Sequence, residues 1–200
     1  MKILIDSIMS NVNAYRLWQT PFAEKKLVPI GKYNDLRTTR RVLDVGCGPG
    51  TNTSHFNHCE YVGLDCNPSY IEYARRRYGR EFIVTDVCDY IPPVGIRYDF
   101  ILVNSFLHHI DDENTVRILS TLERLLDREG HIHILDLVMP ETPGVARILA
   151  QWDRGQFARP LEKWRQIFSK IFATVVFEPY ALSYLGITLW NMVYFKGRAR

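Results

Sequence analysis

Short apolar runs alternate with longer amphipathic stretches along most of this chain. Arg41–Val45 is an apolar run stopped by Gly46, and Tyr61–Asp65, Glu81–Thr85, Tyr98–Phe106 and His131–Val138 repeat the pattern. Near-continuous apolar runs of this length suit parallel strands covered on both faces. Helical patterns lie between them. Asn67 and Pro68 supply an N-cap and a first-turn proline, Ile71, Ala74 and Tyr78 share a face, and Gly79 can close the helix in the left-handed conformation. Over Asp112–Arg128, Ile118, Leu119, Leu122, Leu125 and Leu126 form an apolar stripe that predicts core packing. Thr142-Pro143 opens another helix, with Val145, Ile148, Leu149 and Trp152 on one face, and Trp164, Ile167, Phe168, Ile171 and Phe172 mark one more. Two last runs, Thr174–Leu182 and Leu189–Phe195, are joined by a short glycine-containing link and should pair antiparallel.

This alternation predicts an α/β fold in a single domain: a seven-stranded, mostly parallel sheet with helices on both faces and a C-terminal antiparallel strand pair. Residues 1–37 read as an N-terminal helical cap holding Tyr15 and Trp18 and broken at Pro21, and residues 38–200 as the main domain. Residues 139–160 are too long for a simple connection and read as an insertion or lid. Lys196–Arg200 reads as a frayed basic end.

Composition narrows the picture by exclusion. With 46% hydrophobic and 24% charged residues, wholesale disorder is excluded. No apolar run reaches the roughly 20 residues of a membrane helix. The net charge of +3, from 25 Lys+Arg against 22 Asp+Glu, is too balanced to argue for nucleic acid or an anionic membrane. Cys47, Cys59, Cys66 and Cys88 form no C-x-x-C pair, so neither a disulfide framework nor a zinc site is expected. Met1–Ser10 lacks the layout of an export signal, and reduced thiols without export favour the cytoplasm.

The densest chemistry follows the first strand, in Asp44-Val-Gly-Cys-Gly-Pro-Gly50. Glycines there let a ligand approach the backbone, and a helix starting after the turn would offer free N–H groups. The spacing is G-x-G-x-G, not the G-x-G-x-x-G of dinucleotide-binding proteins, which weakens a nicotinamide reading. Asp65 ends the second strand, 19 positions after Gly46. There a carboxylate can accept from two ribose hydroxyls, or it can serve helix entry in competition with Asn67. Asp86 and Val87 end the third strand, where Asp86 can accept from an adenine amino group or form a turn. All these positions fall at carboxyl ends of successive strands, the ligand-binding edge of open α/β sheets.

Asp44-Val-Gly-Cys-Gly-Pro-Gly50, Gly63-Leu-Asp-Cys-Asn-Pro68 with Ile71-Glu-Tyr-Ala-Arg75, and Thr85-Asp-Val87 together resemble the successive motifs of class I, Rossmann-like S-adenosylmethionine-dependent methyltransferases. The resemblance runs from about Thr38 to the C-terminus. It implies S-adenosyl-L-methionine as cofactor, S-adenosyl-L-homocysteine as product, and methyl transfer to a nucleophile. It implies that Asp44, Gly46 and Gly48 lie against the amino-acid part of the cofactor, with Cys47 and Gly50 also in the cofactor-binding turn. Asp65 would hold the ribose, Cys66 pack beside the adenine, Asp86 and Val87 meet the adenine edge, and Asn104 approach the methionine moiety. Tyr15 and Trp18 would cover the cofactor.

A sulfonium methyl is already activated, so the protein's task is alignment and exclusion of water. A base is needed only for an acceptor protonated at neutral pH. His108 and His109, just past the fourth strand, are the candidate bases, against a reading as capping or packing residues. His131 and His133 share a strand face, but no further ligand sits at metal spacing and no metal is expected. Trp152 and Arg154, flanking Asp153, could orient an acceptor, or Trp152 could close the apolar stripe. A small-molecule acceptor, with O-methylation favoured, fits best. Arg75–Arg77 lie on a helix paired with Glu72, and Asn104-Ser-Phe-Leu107 departs from the N-P-P-Y type of base-amine methyltransferases. The alternatives are an RNA or protein acceptor, or a catalytically inactive cofactor-binding partner subunit.

Overall fold

The computed structural model describes residues 22, 25–153 and 155–200. Tyr15, Trp18 and Arg154 lie outside the described residues, as does most of the expected 1–37 cap. Of that cap, residues 25–33 are helical and Leu36–Thr38 forms a 3₁₀ turn.

Seven strands make one sheet: β1 (Arg41–Val45), β2 (Glu60–Asp65), β3 (Glu81–Val84), β4 (Tyr98–Asn104), β5 (Leu126–Leu137), β6 (Ala173–Tyr184) and β7 (Ile187–Arg198). Their order is β3-β2-β1-β4-β5-β7-β6. The first five run parallel, and β7 inserts antiparallel between β5 and β6. The helices are α1 (Pro68–Tyr78), α2 (Asp112–Leu125), α3 (Val145–Trp152) and α4 (Leu161–Ile171).

The sheet separates two apolar layers. Leu43, Val45, Ile101, Val103, Ile132 and Ile134 face α2 and α4, meeting Leu119, Trp164 and Phe168. Val42, Phe100, Leu102 and Leu135 face the other way, toward Ile30, Ile71 and Ala74. Alternation along each strand sends successive side chains to opposite layers, and each large apolar side chain so buried contributes roughly 1.5–3 kcal/mol. The indole N–H of buried Trp164 donates to the Leu137 carbonyl at 2.9 Å, which ties α4 to the end of β5.

Local signals held where the chemistry is local. Asn67 Oδ1 accepts from the N–H groups of Ser69 and Tyr70, and Gly79 closes α1 at φ 60°. The i,i+4 pair Arg76–Glu72 forms at 2.9 Å. Elsewhere the expectation is corrected. The 196–200 segment does not fray as a whole: Lys196 and Gly197 pair with His133 and Ile132 on one side and with β6 on the other. The helix expected to open at Thr142-Pro143 starts at Val145, with Gly144 at its N-cap. Its apolar stripe is largely on the surface, with Val145 48%, Ile148 49% and Trp152 74% exposed, while Ala150 makes the buried contact.

Candidate active site

The glycine turn has the backbone that its composition demands. Gly46, Gly48 and Gly50 have φ of 66°, 55° and 81°, a region that favours residues without a Cβ. The expected α-helix does not follow. Successive i,i+3 bonds, Gly50 N to Cys47 O and Thr53 N to Gly50 O, lead into a single 3₁₀ turn, Thr53–Phe56. The segment reaches β2 too soon for a helix to propagate.

Carboxylates hold the turn from two sides. Asp44 is fully buried and accepts from the Tyr61 hydroxyl at 2.7 Å and from Asn52 Nδ2 at 3.2 Å. Burial pushes its pKa up to about 7, against those two hydrogen bonds. Asp65 Oδ2 accepts from Gly48 N at 2.9 Å, and Oδ1 from Asn67 N at 2.8 Å. Burial raises its pKa while these bonds oppose the shift. Each oxygen accepts one of these bonds, which leaves lone pairs for a ligand's hydroxyls.

A cleft of about 140 Å³ opens beside Asp65, with Gly46, Cys66, Asp86, Val87 and Phe106 among its walls. Five of the sequence-designated positions therefore meet at one place. A Cβ on Gly46 would fall 2.7 Å from Cδ2 of the Phe106 ring. Gly46→Ala is therefore expected to cost roughly 1–3 kcal/mol through the left-handed φ and the clash, read by urea denaturation. Asp86 both lines the cleft and forms a turn, its Oδ1 accepting from Cys88 N at 2.7 Å. Cys47 is buried with its thiol in the core, so only its backbone is available at the turn. Asn104 donates to Asn52 Oδ1 at 3.1 Å, linking the end of β4 to the residue that holds Asp44.

A second polar cluster lies where β4 and β5 end. His108 is buried, and its Nδ1 donates to Asp136 Oδ1 at 2.6 Å. Its Nε2 lies 3.2 Å from Asp153 Oδ1. Burial alone would lower the pKa of His108, but the two carboxylates outweigh it and raise it to about 9. Burial would raise Asp153, yet the His108 contact brings it down to about 2. His108 thus carries its proton at neutral pH and presents no lone pair to receive another. His109 is exposed, its ring centroid 4.1 Å from that of His108. Nitrogens of His108 and His109 and a carboxylate oxygen of Asp153 fall within 4.8 Å of one another. His131 and His133 make no such group among the described residues, and His133 is a core residue stacked on Phe100 and bonded to the Tyr194 hydroxyl.

Sequence reasoning missed the residues that fix this cluster. Asp136 also accepts from Leu107 N and Leu137 N at 2.8 and 2.7 Å. Buried Arg159 gathers the carbonyls of Leu107, Phe157 and Ile110, and pairs with Asp112 at 2.6 Å. Gly155 packs directly against the His108 ring. Of these, only Asp136, at a strand's carboxyl end, carried a sequence signal.

Sheet order, with the glycine turn and the acidic residue at the strand ends, gives this chain the fold of solved methyltransferases, one of them holding S-adenosyl-l-homocysteine. The side-chain-free turn and the carboxylate beside it fit that group: a backbone that admits close approach, and an acceptor for ribose hydroxyls. Residues 42–130 match a family described as a methyltransferase domain. O-methyltransferase 10 of Lophophora williamsii is 27% identical over 148 residues, covering 70% of this chain and 36% of that protein. Myricetin 3'/5'-O-methyltransferase 1 of Solanum habrochaites is 28% identical over 115 residues, covering 56% and 30%. The chain spans about a third of the length of these curated relatives. The N-methyltransferase NodS of Bradyrhizobium japonicum WM9, solved with S-adenosyl-l-homocysteine, superposes with a TM-score of 0.73 at 16% identity, covering 97% of this chain and 95% of that one. Among the described residues, no helix is long and apolar enough to cross a membrane.

Proposed function

We propose that this chain transfers a methyl group from S-adenosylmethionine to a hydroxyl of a small-molecule acceptor. The observation that carries the reading is the adjoining pair of sites at one sheet edge. The glycine turn with Asp65 would hold the cofactor, and the groups after β4 and β5 would face the acceptor. When bound, the cofactor supplies an activated methyl group. Asp65 would accept from its ribose, Cys66 and Val87 would enclose its adenine, and Asp86 would meet the adenine edge. The backbone at Gly46 and Gly48, supported from below by Asp44, would take its amino-acid part, with Asn104 alongside.

Both similar plant proteins are named as O-methyltransferases, which favours oxygen. His108, with both ring N–H groups directed to Asp136 and Asp153, would fix these two carboxylates beside the acceptor and not act as the proton acceptor. His109 and the exposed indole of Trp152 would border the acceptor's entry. The test is a metabolite pool incubated with cofactor carrying an isotopic methyl. A labelled small-molecule ether is expected. Label found only in RNA or protein, or label transferred only to nitrogen, would contradict the reading.

A further inference from the structure

His108 takes up the charge of Asp136 and Asp153, but Lys26 also reaches into this cluster. Lys26 belongs to the helical segment 25–33, and its Nζ donates to Ser105 Oγ at 3.0 Å. Ser105 follows β4 directly, with a left-handed φ of 55° that is uncommon for a serine, and its Oγ donates to Asn104 Oδ1 at 3.1 Å. The Tyr180 hydroxyl of β6 donates to the Lys26 carbonyl at 3.0 Å, which anchors the backbone behind the amine. The amine is thus set at the end of β4, beside the residue expected to meet the methionine moiety. Among the described residues, the charged and titratable groups around it include Asp136 from β5, Asp153 after α3, His108 between them and Tyr180 from β6.

We propose that Lys26 takes the proton from an aryl hydroxyl as that oxygen is methylated. The proposal rests on the hydroxyl-acceptor reading above and names its substrate class. In the step, the acceptor's O–H bond breaks and its proton passes to the lone pair of neutral Nζ. An oxygen electron pair forms the bond to the methyl carbon. The carbon–sulfur bond breaks with its pair left on sulfur, which becomes a neutral thioether. The ammonium returns its proton to solvent after the products leave.

Three considerations support this assignment. His108 is held protonated by two carboxylates and cannot serve. Desolvation brings the Lys26 amine down to about 8, against the opposing pull of Asp153 and then Asp136. A useful fraction is therefore the free base at neutral to mildly basic pH. An amine of that basicity can deprotonate a phenol, whose pKa is about 10 like that of tyrosine. An aliphatic alcohol, with a pKa near that of water at about 15.7, is beyond it.

Two measurements test the proposal. In the first, the protein is exposed to trace acetic anhydride from pH 6 to 11, and each lysine's acetylation is read by mass spectrometry. Lys26 should reach half its maximal reactivity near pH 8. A Lys26 that reaches it only near the ordinary lysine value of about 10.4, or that never labels because its amine is closed to small solutes, overturns the proposal. In the second, isotopic cofactor is supplied with phenol or with 4-nitrophenol, which is already ionised at pH 8.5, and the methyl ethers are quantified. Lys26→Arg keeps a charge but cannot accept a proton, so phenol methylation should fall about 100-fold while 4-nitrophenol methylation is nearly unchanged. Equal losses for both would mark Lys26 as a positioning residue and overturn its role as base. A wild-type protein that binds the cofactor in calorimetry but methylates neither phenol defeats the aryl-hydroxyl reading itself. Ether formation alongside an ordinary Lys26 titration removes only the lysine.

Discussion

Replacing Asp65 by alanine is expected to weaken S-adenosylmethionine binding by roughly two to four orders of magnitude. Two losses combine. Hydrogen bonds to a charged group are worth about 1.5–3 kcal/mol each, and a ribose offers two hydroxyls to this carboxylate. The same oxygens also receive the N–H groups of Gly48 and Asn67, so the variant loosens the turn that forms the berth. Isothermal titration on Asp65→Ala, with circular dichroism to verify the fold, makes the check. Asp89→Ala is the control, because Asp89 is exposed a few residues past β3. A tenfold or smaller loss for Asp65→Ala would mean that this carboxylate does not hold the ribose.

The second large effect is on stability. Asp136→Ala would leave His108 Nδ1 and the N–H groups of Leu107 and Leu137 without their acceptor in a buried place. Breaking a buried pair on one side costs about 3–5 kcal/mol. For a chain of this length that corresponds to a fall in Tm of roughly 10 °C. The same cluster predicts how stability follows pH. His108 is raised to about 9 in the folded protein from an ordinary 6.5, so its contribution is complete below about 6.5 and is lost as pH rises through 9. Asp153 is lowered from 3.8 to about 2, so its contribution is present above about 4 and is lost as pH falls through 2. Denaturation at a series of pH values should show the alkaline decline in the wild type and a weaker one in His108→Gln. An identical decline in both would show that His108 is not its source.

The sequence was legible where one short segment settles the structure. β1 ends where Gly46 interrupts its apolar run, and α1 is framed by Asn67, Pro68 and Gly79, each acting on its own neighbours. The meeting of the glycine turn with Asp65 and Asp86 at one cleft was legible for a related reason. Gly46, Asp65 and Asp86 each end or follow a strand, and parallel strands bring such ends to one edge without any knowledge of side-chain contacts. The polar cluster at the ends of β4 and β5 was not, because its contacts join distant parts of the chain. His108 meets Asp136 and Asp153, and Lys26 meets Ser105, by folding that no local pattern encodes. His108 reads in sequence as a candidate base or a packing residue, and only the two carboxylates brought to it by folding turn it into a fixed cation. The extension of β7 through Lys196 and Gly197 was hidden likewise, since a basic tail becomes a strand only when β5 lies beside it. In α3 the pattern did show one face, but periodicity alone does not say whether a face meets the core or the solvent.

The central claim is that the turn at residues 46–50 and the carboxylate at 65 receive an adenosyl group joined to a methionine. Its most direct test is calorimetric titration of the folded wild-type chain with S-adenosylhomocysteine and, separately, with NAD. Saturable one-to-one binding of the first, with little or no heat from the second, is the predicted result. Saturable NAD binding with no response to S-adenosylhomocysteine would contradict the account.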